Sequence, residues 1–268
     1  MKNLLGTLLP LLIVGAFVLP SCQKEPDGSV LIPPTVKCKV VKAEYLDGTG
    51  GIDDTSGYVY SGDKLTQINH TDYYNTLEYA NNKVSKKFYH ETGSTSPDGY
   101  DQFVYNGDGT LAKADFYIID PSNQQSHLLI SIELTYSGGK ATKLSEKIDT
   151  NSNGVLDPIY EYAYTYTGNN ITKTTVKDLV NNTNEDITYE YDNNANFFPK
   201  DPPALLTDVL FEDYSGDILP LVLSANNVTK VIQTGSSVAV SYTTDSNKNL
   251  TELKINSVAV VRYYHKCQ

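Results

Sequence analysis

The stretch Tyr58-Val59-Tyr60-Ser61-Gly62-Asp63-Lys64-Leu65 decides how the rest of the chain is read. Tyr and Val suit a pleated, half-buried surface, while Gly62 and Asp63 tolerate the positive φ of a tight turn, so the octet is the tip of a β-hairpin. The same unit recurs. Copies stand at Leu77-Glu78-Tyr79-Ala80-Asn81-Asn82-Lys83-Val84, Phe103-Val104-Tyr105-Asn106-Gly107-Asp108-Gly109-Thr110-Leu111, Leu134-Thr135-Tyr136-Ser137-Gly138-Gly139-Lys140 and Tyr164-Thr165-Tyr166-Thr167-Gly168-Asn169-Asn170-Ile171. Looser copies follow at Tyr189-Glu190-Tyr191-Asp192-Asn193-Asn194, Leu221-Val222-Leu223-Ser224-Ala225-Asn226-Asn227-Val228 and Val240-Ser241-Tyr242-Thr243-Thr244-Asp245. Such repetition marks an array of one supersecondary unit.

Each outgoing strand puts alternate residues on one face, as Tyr58 with Tyr60 or Leu134 with Tyr136. Returning strands instead space apolar residues three apart: Leu65 and Ile68, Ala141 and Leu144, Val228 and Val231. A period of two does not give that spacing, so a bulge is predicted soon after each turn. Hairpin after hairpin makes an all-β, antiparallel, up-and-down meander. A sheet this long must curl or close into a barrel, because open twisted sheets rarely pass about 10 strands and closure removes the edges. Stretches such as Ser85-Lys86-Lys87 and Thr172-Lys173-Thr174-Thr175-Val176-Lys177-Asp178 carry charge on both faces, which argues against a membrane-spanning barrel. The repeat breaks at Phe197-Phe198-Pro199-Lys200-Asp201-Pro202-Pro203. Beyond it, Leu205, Leu206, Val209 and Leu210 have the spacing of a short helix over 204–214.

The N-terminus reads as a signal peptide over residues 1–21, with Lys2 followed by an apolar stretch that Gly6, Pro10 and Gly15 interrupt. Leu19-Pro20-Ser21-Cys22 resembles the bacterial lipobox, which implies acylation of the Cys22 thiol and anchoring in a bilayer through acyl chains. Residues 22–35, rich in Pro, Gly and charge, read as a lipidated flexible tether, and 36–268 as a single all-β repeat domain. The acidic stretch after Cys22 is similar to the surface-export signal of Bacteroidetes lipoproteins. The expected location is therefore the outer membrane, on its surface-exposed or periplasmic side. A net charge of −11, which loses Lys2 on processing, excludes nucleic acid as a partner class.

Taken together, the Tyr-x-Tyr-x-Gly/Asn-x-x-Leu/Val-x-Lys units, the stretch from Tyr189 to Asn193 leading to Asn196-Phe197-Phe198, and the lipobox resemble a Bacteroidetes lipoprotein family of unknown function with a porin-like fold. The repeats are also similar to the YD repeats of large bacterial surface shells. The likeness covers about residues 36–268. It implies a curled or closed antiparallel sheet and no activity.

With Cys22 assigned to lipid, Cys38 and Cys267 remain, one in the first strand and one in the last, and in an oxidising compartment such a pair is expected as a disulfide. Asp149-Thr150-Asn151-Ser152-Asn153-Gly154-Val155-Leu156-Asp157 has two readings. Asp149, Asn151, Asn153 and Asp157 place side-chain oxygens at the spacing of a calcium loop, with Gly154 at the turn and Val155 offering its carbonyl, although Tyr160 stands where the bidentate acid belongs. The other reading is a polar hairpin tip turned at Asn153-Gly154. His70, His90, His127 and His265 show no metal spacing, and no nucleophile elbow or phosphate loop is present in the sequence. Glu133, Glu161, Glu190 and Asp192 are strand-borne acids that could pair for glycoside hydrolysis, which makes a glycan-active enzyme the alternative to a binding or structural module. With 21 Tyr and no Trp, the chain has rings that could meet a glycan or a protein partner.

Overall fold

Alternating strands joined by short turns leave the backbone amides one economical solution, pairing each strand with the next. The computed structural model describes residues 38–198 and 219–267. The predicted signal peptide (1–21), the tether with Cys22 (22–35) and the predicted helix (204–214) lie outside the described residues. The first half comprises β1 (Cys38–Leu46), β2 (Ile52–Ser61), β3 (Lys64–Asn69), β4 (Tyr73–Ala80), β5 (Lys83–Glu91), β6 (Gly99–Tyr105), β7 (Leu111–Ile119) and β8 (Ser126–Ser137). The second comprises β9 (Lys140–Ile148), β10 (Asp157–Thr167), β11 (Asn170–Asp178), β12 (Thr183–Ala195), β13 (Asn226–Gln233), β14 (Ser236–Thr244), β15 (Leu250–Ile255) and β16 (Val258–Cys267). A short helix, α1 (Leu219–Leu223), precedes β13.

Every strand is antiparallel to its sequence neighbours and β1 pairs with β16, so the meander closes into a barrel, as the hairpin array predicts. At this seam Cys38 lies opposite Cys267 and their Sγ atoms are bonded, linking positions 229 residues apart. The interior is filled. Its apolar side chains join in one cluster that runs from Ala43 on β1 through Leu77, Ile132 and Ile187 to Val261 on β16.

One looser repeat copy folds differently from its reading. Leu221-Val222-Leu223 belongs to α1 rather than to an outgoing strand. Pro220 suits the first turn of a helix, where its missing N–H costs nothing, and Leu219 and Val222 gain burial there.

The predicted bulges are present and follow one plan. Pairing shifts register at Val59/Tyr60, Glu78/Tyr79, Val104/Tyr105, Thr135/Tyr136 and Thr165/Tyr166, each time just below the tip. The extra residue is often Thr: Thr66, Thr142 and Thr172 each donate a hydroxyl hydrogen bond to the carbonyl of Val59, Thr135 and Thr165 across the hairpin. Beyond the bulges, the ladders between adjacent hairpins stop; β3 pairs β4 only over Gln67–Asn69, for example. A tyrosine from the next outgoing strand then bridges the gap. Tyr79 donates to Leu65 O at 2.7 Å, Tyr105 to Val84 O at 2.8 Å, Tyr136 to Leu111 O at 2.9 Å and Tyr242 to Val228 O at 2.8 Å, and Tyr191 does the same to Ile171 O. Burial lifts the Tyr136 and Tyr191 hydroxyls to about 12, so they keep the proton they donate.

The outer face is of another kind. It carries Lys147–Glu133, Lys173–Asp186 and Lys230–Glu190 at 3.2, 3.0 and 3.4 Å, and on the strands beside the seam Lys42–Glu44 and Arg262–Glu252 at 2.7 and 3.3 Å. A lipid-facing wall needs an unbroken apolar band, so this wall is built to face water.

Two outcomes check this architecture. Tyr136→Phe should lower the unfolding free energy in urea by about 1 kcal/mol, the net worth of one hydrogen bond; an unchanged midpoint would show that the hydroxyl bridges contribute nothing. The protein should gain two hydrogens in intact mass on reduction, and Cys38→Ser should destabilise it by up to about 5 kcal/mol on the chain-entropy account.

Candidate functional site

The bulges at Tyr60, Tyr79, Tyr105, Tyr136 and Tyr166 sit below one set of tips, and the ladders between hairpins stop there, which leaves that end of the barrel slack. The tips at Gly62-Asp63, Asn81-Asn82 and Gly138-Gly139 surround the slack mouth, together with the seam cysteines and the β14–β15 turn. There a cavity of about 1590 Å³ opens into the barrel. Helix α1 packs on β11 and β13 and adds Leu221 and Val222 to its wall, while Leu219 and Leu223 face a smaller space of about 540 Å³ beside it.

Aromatic rings contribute to the large cavity's wall, among them Tyr58, Tyr60, Tyr79, Tyr242, Tyr263 and Phe197. Leu65, Val240, Leu253 and Val261 add aliphatic surface. Phe197 packs on the Tyr242 ring at 5.6 Å between centroids. Burial pushes the Tyr60, Tyr79, Tyr242 and Tyr263 hydroxyls above their ordinary range, so these side chains stay neutral. His265 also lines the space; burial lowers its pKa and the nearby Asp245 carboxylate partly opposes that.

Charge at the mouth runs against that of the chain. Among the described lining residues are Lys39, Lys64, Lys83 and Lys248, against Asp63 and Asp192. Lys39 pairs with Asp63 at 2.7 Å and donates to Gly62 O at 2.6 Å. Lys64 lies over the Tyr79 ring at 5.1 Å, and Lys83 over Tyr105 at 4.8 Å with a bond to Gly109 O. Burial works against the Asp192 carboxylate, but hydrogen bonds from Asn194 and Asn227 outweigh it and hold the group below its ordinary range. Sequence reasoning missed this mouth. Its one local sign was the lysine placed directly after the tips at 64, 83 and 140.

Deeper polar groups serve the core. Lys87 and Asp101 are 1 % and 0 % exposed and lie 3.4 Å apart, with the Tyr89 hydroxyl donating to Asp101 at 2.6 Å. Burial, with the Asp101 charge, drives the Tyr89 hydroxyl well up. His70 contacts Ser56 Oγ through Nδ1 and Asn75 Nδ2 through Nε2, both at 3.1 Å, and its ring stacks on Tyr73. In a hydrolytic triad the serine and the acid take opposite ring nitrogens; here Asp54 lies 3.9 Å from the nitrogen that faces Ser56, and Ser56 is fully buried. Glu146 points into the barrel, 2 % exposed, and burial raises its carboxyl to about 7.

The residues singled out from sequence fall in separate places. In the 149–157 loop Asp149 accepts the backbone N–H of Asn153 and of Gly154, at 3.1 and 2.8 Å; Asn151 accepts from Asn153 at 3.2 Å and Asn153 from Val155 at 2.7 Å. Thr150 donates to Asp157 at 3.2 Å. These oxygens are engaged in building the turn. Glu133, Glu161 and Glu190 stand on the outer wall, each against a lysine, and Asp192 is at the mouth, so the fold does not gather the four acids into one cleft. His90 stacks on Tyr74, away from His70 and His265. Among the described residues no three His, Cys, Asp or Glu side chains converge on a metal position.

Fold and mouth together define a closed, core-filled, sixteen-stranded up-and-down barrel with a water-facing wall and one aromatic cavity. A porin-like protein from Bacteroides uniformis ATCC 8492 has a similar structure: TM-score 0.53, 13% identity, covering 85% of this chain and 96% of that one. A protein of unknown function from Bacteroides fragilis NCTC 9343 matches over 52% of this chain and 91% of its own, at 12% identity and a TM-score of 0.30. The first likeness is one of fold and agrees with the porin-like sheet implied by the repeats; the second is too distant to carry an argument. No family model matches the sequence. No curated protein matches it either.

Two measurements probe the buried acid and the loop. Since burial lifts Glu146 from 4.5 to about 7, the folded state keeps a proton that the unfolded state has lost; this contribution is whole below pH 4.5 and disappears as pH rises through 7. Glu146→Gln should therefore flatten that fall and be the more stable protein at pH 8, whereas a pH-independent difference would contradict the assignment. For the loop, the engaged oxygens lead to an unchanged Tm in millimolar calcium; a calcium-dependent rise abolished by Asp149→Ala would establish a site there.

Proposed function

We propose that the protein is an exported lipoprotein, anchored through acylated Cys22 in the outer membrane, whose barrel is a binding module with its ligand site in the mouth cavity. The observation that carries the reading is the cavity itself: a large opening lined by aromatic and aliphatic side chains above a barrel core joined in one apolar cluster. Its volume exceeds the roughly 300–1,000 Å³ of drug-sized pockets, which fits a bulky ligand. The lipobox at Leu19-Pro20-Ser21-Cys22 supports the anchor, and two or three acyl chains suffice to hold a domain at a bilayer without a spanning element. A wall of Lys–Glu pairs is consistent with a domain that stands in water on the periplasmic or the external side.

The binding reading is tested by cavity filling. In a thermal-shift screen against soluble glycans and amphiphiles, at least one class should raise Tm, and Val240→Trp, which puts the chain's sole Trp into the cavity, should remove that rise. Stabilisation by no class, or stabilisation indifferent to Val240→Trp, would overturn it. Cys22→Ala should abolish palmitate incorporation and move the protein from the membrane to the soluble fraction; continued labelling would end the anchor assignment.

A further inference from the structure

The groups that line the cavity specify more than a volume. We infer that its ligand is an amphiphilic organic anion: an apolar body seated on the ring and aliphatic walls, with a carboxylate, sulfonate or phosphate head held among the lysines of the rim. This inference rests on the mouth being a binding site and goes further by naming the chemistry that fills it.

Several polar groups at the mouth are already engaged within the protein. A neutral glycan is recognised by side chains that point unused donors and acceptors at its hydroxyls. Here the Tyr79 and Tyr242 hydroxyls are bound to Leu65 O and Val228 O. The Asn196 amide is bound to Leu221 O and Ser224 O, and its oxygen accepts from Phe198 N–H. The Asp192 oxygens are occupied by Asn194 and Asn227. What these side chains leave facing the space is ring and hydrocarbon, which is the surface an apolar body seeks.

Charge at the rim points the same way. The whole chain carries −11, yet the described lining residues carry four lysines against two aspartates. Asp63 is spent on Lys39, and no ion pair among the described residues engages Lys64, Lys83 or Lys248. An acidic protein that gathers ammonium groups, Lys64 and Lys248 among them, around a large apolar opening is arranged to receive an anion there and to exclude cations. Lys64 and Lys248 come from different hairpin tips, after β2 and after β14, so the head group meets positive charge from two sides of the mouth.

The test uses two probes with the same apolar body. 8-Anilinonaphthalene-1-sulfonate carries a sulfonate and N-phenyl-1-naphthylamine does not. Each is titrated by fluorescence into the exported protein bearing Cys22→Ala, so that its own acyl chains do not compete. The sulfonate probe should bind saturably at one site and at least about tenfold more tightly than the neutral probe, a difference of about 1.4 kcal/mol. Lys64→Gln combined with Lys248→Asn, both exposed rim positions, should bring the two affinities together while leaving the thermal unfolding curve in place. Equal binding of both probes to the unsubstituted protein, displaced by Val240→Trp, would overturn the anionic head and leave the cavity reading standing. Binding of neither probe, in protein with an intact unfolding transition, would overturn the amphiphile; a soluble glycan that still stabilises the protein would then preserve the binding module, and none would remove it too.

Discussion

The structure depends on a carbonyl group left without a ladder partner. Beyond the bulges near the mouth the pairing between neighbouring hairpins stops, and a backbone oxygen so stranded would cost free energy comparable to a lost hydrogen bond. A tyrosine hydroxyl from the next strand takes it, at Leu65, Val84, Leu111, Ile171 and Val228. The same arrangement explains why the repeat ends its outgoing strand in Tyr rather than Phe. It also explains the shape of the barrel, because the hairpins are joined there by single side chains instead of continuous ladders and can splay into a mouth.

Lower in the barrel the ladders between hairpins resume, with further register shifts near Leu46, Tyr117, Tyr160 and Lys254, and the inward side chains meet in one apolar cluster. Lysines reinforce the splayed end from hairpin to hairpin: Lys39 reaches Tyr60, Lys64 reaches Tyr79, Lys83 reaches Tyr105 and Lys140 reaches Tyr166. A feature that is structural in origin thus also gathers positive charge around the cavity of an acidic protein. Likeness to a porin-like protein extends to the strand architecture, while the outer wall, striped with ion pairs, has the character of a soluble domain's surface.

Much of this was written in local sequence. Tip residues with positive φ, such as Asn81, Asn82, Gly138 and Gly139, announced the hairpins, and apolar residues three apart announced the bulges. Long-range consequences were not legible. The Tyr79–Leu65 and Lys83–Tyr105 contacts depend on the register between different hairpins, which no window of alternating residues encodes. Ser85-Lys86-Lys87 read as charged on both faces, but that the bulge at Ser85 sets Lys87 in the core against Asp101 depends on the pairing with another strand, β6. Leu221-Val222-Leu223 alternates like a strand, yet Pro220 and the burial of Leu219 make it helical. The cavity has no motif at all, since it arises where ladders end.

Because every strand pairs with its sequence neighbour, the β1–β16 seam joins the two most distant parts of the barrel and is the contact with the greatest loop-closure cost. Until it forms, the sheet is a ribbon with two bare edges, the state in which β proteins aggregate. Hairpins can assemble in order along the chain, but the last stitch must wait for β16. Folding of this barrel is therefore vulnerable at a single late moment, and the cysteines placed at that junction hold the closure once their bond has formed.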